Sequence, residues 1–172
     1  MGGTPLLSAL GLLSALWPFH QERQTVTERY LIPAWHVDAT RDRFTGEMRC
    51  RVYQGKRKKP DVAYAQGVLT FRFARKLDTT RASFRVDNGA VQPWSAVYPQ
   101  IVETGARVRG KSLDNPTEGQ VLLPAVTLSG AHVVTIRPTP DRKPRLFSVN
   151  GFTDALSSGQ AQGCDVRTGF VA

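Results

Sequence analysis

Apolar and polar residues alternate with a period of two in several short stretches of the chain, as is typical of half-buried β-strands. The clearest stretch is VLTFRFARK, in which Leu69, Phe71 and Phe73 share one face. Thr70 and Arg72 lie on the opposite face. This pattern predicts a strand whose phenylalanine face is buried in the core.

Two earlier stretches show the same alternation. In AWHVDA, residues 34–39, Trp35 and Val37 share one face and His36 and Asp38 share the other. In the stretch that begins MRCRVY, the inward set is Met48, Cys50 and Val52 and the outward set is Arg49, Arg51 and Tyr53. Both patterns predict strands, and the second places Cys50 on a core face.

Turn signals separate these strands from further candidates. Asn88-Gly89, between residues 83–86 and 91–98, predicts a hairpin. The segment GKRKKPD, residues 55–61, has the Gly and Pro-Asp signals of a loop. Further candidate strands cover residues 106–110, 121–123 and 132–136. We expect Phe84 and Val134 to be mostly buried, together with Trp35 and the phenylalanine strand.

One stretch near the C-terminus has helical periodicity. GFTDALSSG, residues 151–159, places Phe152, Ala155 and Leu156 on one side and has Gly159 as a stop signal. Short strands separated by turn residues and followed by one helix are typical of all-β proteins. We therefore predict an antiparallel β-sandwich, or a partly open barrel, with one short C-terminal helix.

The N-terminal stretch is apolar and lacks charge. Residues 5–19, PLLSALGLLSALWPF, are too few to span a bilayer comfortably, since a span takes ~20 residues, but they have the length of a signal-peptide core. We expect a signal peptide or N-terminal anchor at residues 1–20, an extended tether at 21–33 and a single β-sandwich domain at 34–172. A buried N-terminal helix is the alternative for the leader.

The chain carries a formal net charge of +9, which favours polyanions such as nucleic acid, anionic lipid or acidic polysaccharide. The candidate polyanion-binding residues are Lys56, Arg57, Lys58, Lys59, Arg107, Arg109 and Lys111. A further basic cluster comprises Arg142, Lys143 and Arg145. Tyr53 and Tyr98 are candidates for stacking on nucleic-acid bases. A solvated basic surface with no dedicated ligand is the favoured interpretation, and a dedicated polyanion site is the alternative.

The chain has two cysteines, Cys50 and Cys164. A secreted protein with an even number of cysteines usually pairs them, so we predict a disulfide that joins the C-terminal tail to the sandwich. The pairing requires the two Cα atoms to lie within ~7 Å and Cys50 to lie near a sheet rim. In a cytosolic protein the same residues would be free thiols, and Cys50 a small core residue.

Candidate catalytic and metal-binding residues are few. His20, His36 and His132 form no zinc-binding motif, and the chain lacks a nucleophile elbow, a Walker A loop and a dinucleotide-binding fingerprint. We expect no cofactor and no metal. His36 and Asp38 share the outer face of one strand, so a hydrolase site built around them is a minority hypothesis.

Four segments together resemble the invasion-associated locus B family of small secreted proteins. They are the apolar leader, AWHVDA, MRCRVYQ and FSVNGFTDAL, in this order along the chain. Family members commonly have further cysteines near the positions of Asp38 and of residues 112–119, where this chain has none. The resemblance implies a periplasmic or envelope-associated β-rich protein, without catalytic residues to carry over.

These observations favour a periplasmic or secreted, non-enzymatic β-sandwich with a binding or structural role toward an envelope component of unknown identity. The alternative, from the charge, is a module that binds nucleic acid, anionic lipid or anionic polysaccharide.

Overall fold

A computed structural model of the protein describes residues 35–41, 43–46, 48–106 and 116–164. The strands in this part of the chain are β1 (Trp35–Arg41), β2 (Met48–Lys56), β3 (Lys59–Ala65), β4 (Val68–Arg72), β5 (Ser83–Val86), β6 (Gln92–Pro93), β7 (Gln120–Pro124), β8 (Val133–Arg137) and β9 (Arg145–Ser148). The helices are α1 (Tyr98–Glu103) and α2 (Phe152–Ala161), with 3₁₀ turns at Trp94–Ala96 and Ala125–Leu128. The predicted leader and tether, residues 1–33, lie outside the described residues.

The strands form two open antiparallel sheets. Sheet A has the order β1-β2-β3-β4-β7 and sheet B the order β6-β5-β8-β9. Side chains from the two sheets meet between them: Phe147 of β9 contacts Phe71 edge-on, with ring centroids 5.0 Å apart. The Gln54 amide of β2 donates a hydrogen bond to the Ser148 carbonyl oxygen of β9 at 2.9 Å. The predicted all-β sandwich with a short C-terminal helix is confirmed.

The core follows the period-two pattern of the strands. Leu69 and Phe71 of β4 are 0% exposed, and Phe84 and Val134 of sheet B are also buried, as predicted. Trp35 and Phe73 are only half-buried, because they lie where the sheets end. Thr70 and Arg72, on the outer face of β4, are half-buried as well. The side chain of Arg49 lies outside what the structure describes.

Tyr53 lies on the outward face of β2, as predicted, but its side chain is only 5% exposed, so it is not accessible for base stacking. Tyr53 is opposite His36 in the β1–β2 register. Its ring is 5.2 Å from the His36 ring and 5.3 Å from the Arg51 guanidinium. Neighbouring side chains on the outer face therefore cover a ring that alternation alone assigns to solvent.

Residues 55–61, which the sequence assigns to a loop, form the tip of a hairpin instead. Lys56 of β2 pairs with Lys59 of β3, so the turn contains only Arg57 and Lys58. A register shift between Gln54 and Gly55 interrupts the ladder, and Gly55 has a φ of 87°. A glycine in this left-handed conformation is typical of a β-bulge, which bends a strand and increases its twist.

The predicted reversal at Asn88-Gly89 is present, although the connection spans residues 87–91 and the return strand β6 has only two residues. The chain then leaves the sheet, and the Trp94 indole donates a hydrogen bond to the Leu122 carbonyl oxygen at 2.7 Å. The short helix α1, which the sequence did not predict, follows. Of the candidate strand at 106–110, Ala106 is not in a strand and the remainder lies outside the described residues.

Helix α2 begins after Gly151, as predicted, but Gly159 does not end it, because the helix continues to Ala161. Gly159 is buried within the helix. A Cβ atom at this position would lie 3.7 Å from Cys164 and 3.7 Å from Val37 of β1. These are ordinary van der Waals distances, so Gly159 lies in the packed contact between the helix and the rim of sheet A and is not the stop that the sequence predicted.

Candidate functional site

Cys50 and Cys164 form a disulfide, as predicted, with their Cα atoms 5.8 Å apart. Cys50 pairs with Ala39 of β1, whereas the β2–β3 register begins only at Val52. Cys50 therefore lies on the part of β2 that extends beyond β3, at the rim of sheet A. This position is open to the C-terminal tail that follows α2.

Other contacts hold α2 against the same rim. The Trp35 indole of β1 donates a hydrogen bond to the Asn150 carbonyl oxygen at 2.9 Å, and its ring lies 5.0 Å from Phe152 of the helix. The Cys164 amide donates a hydrogen bond to the Gly159 carbonyl oxygen in the last turn of the helix, at 3.0 Å. This bond holds the residues that follow α2 against the end of the helix, next to β2. The disulfide and these contacts anchor the C-terminal segment, so the role of Cys50 is structural.

The basic hairpin, which comprises Lys56, Arg57, Lys58 and Lys59, is exposed at all four residues. Arg57 Nε lies 2.8 Å from Asp38 Oδ2 on the outer face of β1. In the β1–β2 register Asp38 is opposite Arg51, six residues before Arg57 along the chain. The bulge at Gly55 must therefore bend the hairpin back across the outer face of sheet A. Three lysine ammonium groups remain at its surface.

The other predicted polyanion-binding residues, Arg107, Arg109 and Lys111, lie outside the described residues. Arg145, from the basic cluster of Arg142, Lys143 and Arg145, is exposed but has partners on both sheets. Its guanidinium lies 3.5 Å from Asp61 of β3 and 4.9 Å from the Phe147 ring. This arginine therefore connects the two sheets.

Of the two tyrosines proposed for base stacking, Tyr53 is buried and Tyr98 remains accessible. Tyr98 is 45% exposed and its ring meets Trp94 edge-on at 5.4 Å. The Trp94 and Tyr98 rings line an open cleft of about 350 Å³, together with Thr80 and Pro116. The Trp94 side of this cleft is bonded to the edge strand β7 of sheet A, whereas the basic hairpin joins the interior strands β2 and β3.

His36 and Asp38 each contact a different partner. His36 is exposed and its ring lies against Tyr53, while the Asp38 carboxylate pairs with Arg57. His132 Nδ1 lies 2.7 Å from Asn150 Oδ1. In the part of the chain that the structure describes, no three His, Cys, Asp or Glu side chains come together as a metal-binding group.

The outer face of sheet A brings two arginines together. Desolvation by burial, and secondarily the positive charge of nearby Arg51, lower the pKa of the Arg72 guanidinium. An arginine stays protonated despite such a shift, so both positive charges persist. This part of sheet A is therefore positively charged in addition to the basic hairpin.

The outer face of sheet B carries a second group of arginines that sequence reasoning missed. In the β5–β8 register Arg85 is opposite Thr135, and Ser83 is opposite Arg137. Both arginines are exposed, and all four side chains line a groove of about 200 Å³. We call this surface the arginine face. Alternation within residues 83–86 and 133–137 was the available signal, but only the pairing register shows that the two arginines are diagonal neighbours.

Comparison of the chain with protein-family models, with curated proteins and with solved structures finds no match. The resemblance to the invasion-associated locus B family therefore stays a prediction. Among the described helices, none has the length and apolar character needed to cross a membrane.

Proposed function

We propose that this chain is an extracytoplasmic, disulfide-stabilised β-sandwich that binds a component of the cell envelope and performs no catalysis. The observation that carries the proposal is the Cys50–Cys164 disulfide, whose Cα atoms lie 5.8 Å apart. Disulfides persist in oxidising compartments such as the periplasm and are rare in the cytosol. The apolar N-terminal segment of residues 5–19 supports export.

The test is to express the full chain in its native cell, fractionate the cells and determine the N-terminus and the free thiols of the recovered protein. We expect an envelope or periplasmic protein, cleaved after the apolar segment, with no thiol that reacts under denaturing conditions before reduction. A cytosolic, uncleaved protein with both cysteines reactive would contradict the proposal.

The second candidate function is binding to a polyanion, which the exposed lysines of the basic hairpin favour. Lys56, Lys58 and Lys59 lie at the surface around a turn that Arg57 holds against Asp38. Lysine ammonium groups that neutralise phosphates release counterions, so the affinity should fall steeply with salt. A titration with duplex DNA at several salt concentrations tests this, and absent or salt-insensitive binding would contradict it.

A further inference from the structure

We infer that the arginine face of sheet B is a docking surface for the anionic phospholipid headgroups of a membrane. The inference rests on the proposed function, since it names the envelope component and the surface that binds it.

Two rows of side chains cross this outer face. In each row an arginine and a hydroxyl residue occupy the two central strands: Arg85 beside Thr135, and Ser83 beside Arg137. Diagonal neighbours on an antiparallel pair have Cα atoms ~7–8 Å apart. The two guanidinium groups are therefore close enough to bind neighbouring phosphates, and the hydroxyls supply further hydrogen-bond donors.

Aliphatic side chains flank the arginines on both sides. Leu146 of β9 is opposite Thr135 and is 41% exposed. Val91, which precedes β6, lines the same groove and is 68% exposed. Pro144 lines the groove on the β9 side. Protein surfaces that lie at the headgroup boundary of a bilayer combine cationic side chains with exposed aliphatic groups, as this face does.

The charge of the face is complementary to an anionic membrane. Among the described residues that line the groove, none carries a carboxylate. Arg142 and Lys143, both exposed, precede Pro144 at one end of the groove, and Arg142 lies 3.7 Å from Asp141. Basic residues at an anionic membrane surface each add to the attraction, which is confined to about a Debye length.

The lining of the groove argues against nucleic acid as its ligand. Single-stranded nucleic acid binds through aromatic side chains on which the bases stack. The aromatic residue that lines this groove, Phe84, is 3% exposed and faces the core. The sheet thus offers phosphate-binding groups and aliphatic contacts, and among the described residues that line the groove no ring is exposed for a base to stack on.

The test is co-sedimentation of the full chain with vesicles of phosphatidylcholine alone and of phosphatidylcholine mixed with phosphatidylglycerol. We expect binding to the mixed vesicles only. The double variant Arg85→Gln/Arg137→Gln should bind them about 30-fold more weakly, because about 1 kcal/mol per charge corresponds to about fivefold for each arginine. Unchanged thermal unfolding of the variant would show that the fold is retained.

Lys56→Gln/Lys58→Gln is the matched control, because it removes the same charge from the basic hairpin on sheet A. The outer faces are separated by the ~10 Å between the sheets plus the side chains on both faces, which exceeds the Debye length of ~10 Å at 0.1 M salt, so this variant should lose little affinity. Val91→Ser/Leu146→Ser, which keeps every charge, should weaken vesicle binding about tenfold through lost apolar contact while its salt dependence stays unchanged.

Any of three outcomes would overturn the inference: no binding to the mixed vesicles, whether or not soluble polyphosphate binds, an equal loss in the hairpin control, or full binding by the Val91→Ser/Leu146→Ser variant. None of these outcomes bears on the compartment or on the disulfide, so they are distinguishable from a failure of the proposed function in fractionation and thiol analysis.

Discussion

Phe71 lies at the centre of the core between the two sheets. Its side chain is 0% exposed, it is opposite Val62 in the β3–β4 register, and its ring meets Phe147 of sheet B edge-on at 5.0 Å. A buried phenylalanine contributes both transfer free energy and close packing with its neighbours. Phe71 therefore contacts residues of both sheets.

Replacing Phe71 with Ala should lower the free energy of unfolding by ~3–5 kcal/mol, because it removes buried apolar surface and leaves a cavity. Denaturant unfolding of the oxidised protein measures the change. Val126→Ala is the control, since Val126 is 78% exposed and should cost less than ~0.5 kcal/mol. A loss below about 1 kcal/mol at Phe71 would contradict the assigned register.

Gly119 precedes β7 with a φ of 72°, a left-handed conformation that L side chains rarely adopt. A Cβ atom at this position would collide with the Ala74 carbonyl oxygen. Gly119→Ala should therefore destabilise the protein by about 3 kcal/mol or more, through strain and steric overlap together.

Gly105→Ala separates these two causes. Gly105 has a φ of 77°, and a Cβ atom there would meet nothing within 4 Å among the described residues. This variant should lose only ~1 kcal/mol, the cost of the backbone conformation alone. Equal midpoints of thermal unfolding for the two variants would contradict the close approach of Ala74 to Gly119.

The period of two predicts the inward residues of β4 correctly, because every second residue of that strand faces the core. It places Tyr53 on the outer face correctly but does not predict its burial, which depends in part on the His36 ring of the neighbouring strand. The arginine face was missed for the same reason. Arg85 and Arg137 are far apart in the chain, and only strand pairing makes them neighbours.

Strand β3 and helix α1 are among the elements that the sequence did not predict. Strand β3 begins with Lys59-Pro60, and the Arg57-Lys58 turn lacks the Asn-Gly signal, so the hairpin resembles a loop. Helix α1 has six residues, with a proline in its first turn, and is too short to show helical periodicity. Helix α2 was predicted because its apolar residues recur at helical spacing.

The disulfide attaches the segment that follows helix α2 to sheet A, in addition to the Trp35 contacts. The bond joins residues 114 apart in sequence. In the chain-entropy model a closed loop of this size stabilises a protein by ~4–5 kcal/mol, and measured losses for native disulfides are ~2–5 kcal/mol. Cys50→Ser/Cys164→Ser should therefore lower the free energy of unfolding within that range.

Denaturant unfolding with and without reductant measures this loss. The wild-type protein should become less stable in reductant, whereas the double serine variant should show the same midpoint in both conditions. Wild-type stability that is insensitive to full reduction would mean that the contacts of Trp35 with Asn150 and Phe152 hold the helix without the disulfide.

At the scale of the whole molecule, positive charge is present on both outer faces of the sandwich. The basic hairpin bends over the outer face of sheet A, and the arginine face is the outer surface of sheet B. The core between the sheets separates the two surfaces by about 10 Å plus the length of the side chains, which is beyond a Debye length at physiological salt. Each surface can therefore be tested separately by charge removal.

The lysines of the basic hairpin should determine how DNA binding depends on the salt concentration. Asp38 pairs with Arg57, which leaves Lys56, Lys58 and Lys59 to contact phosphates. On duplex DNA each neutralised phosphate contributes about −0.9 to the slope of log affinity against log salt concentration. Replacing the three lysines with Gln should therefore reduce the magnitude of this slope by up to about 2.7. The Arg85→Gln/Arg137→Gln variant should keep the wild-type slope, because its changes lie on the opposite sheet. A hairpin variant with the wild-type slope would show that DNA does not contact the hairpin.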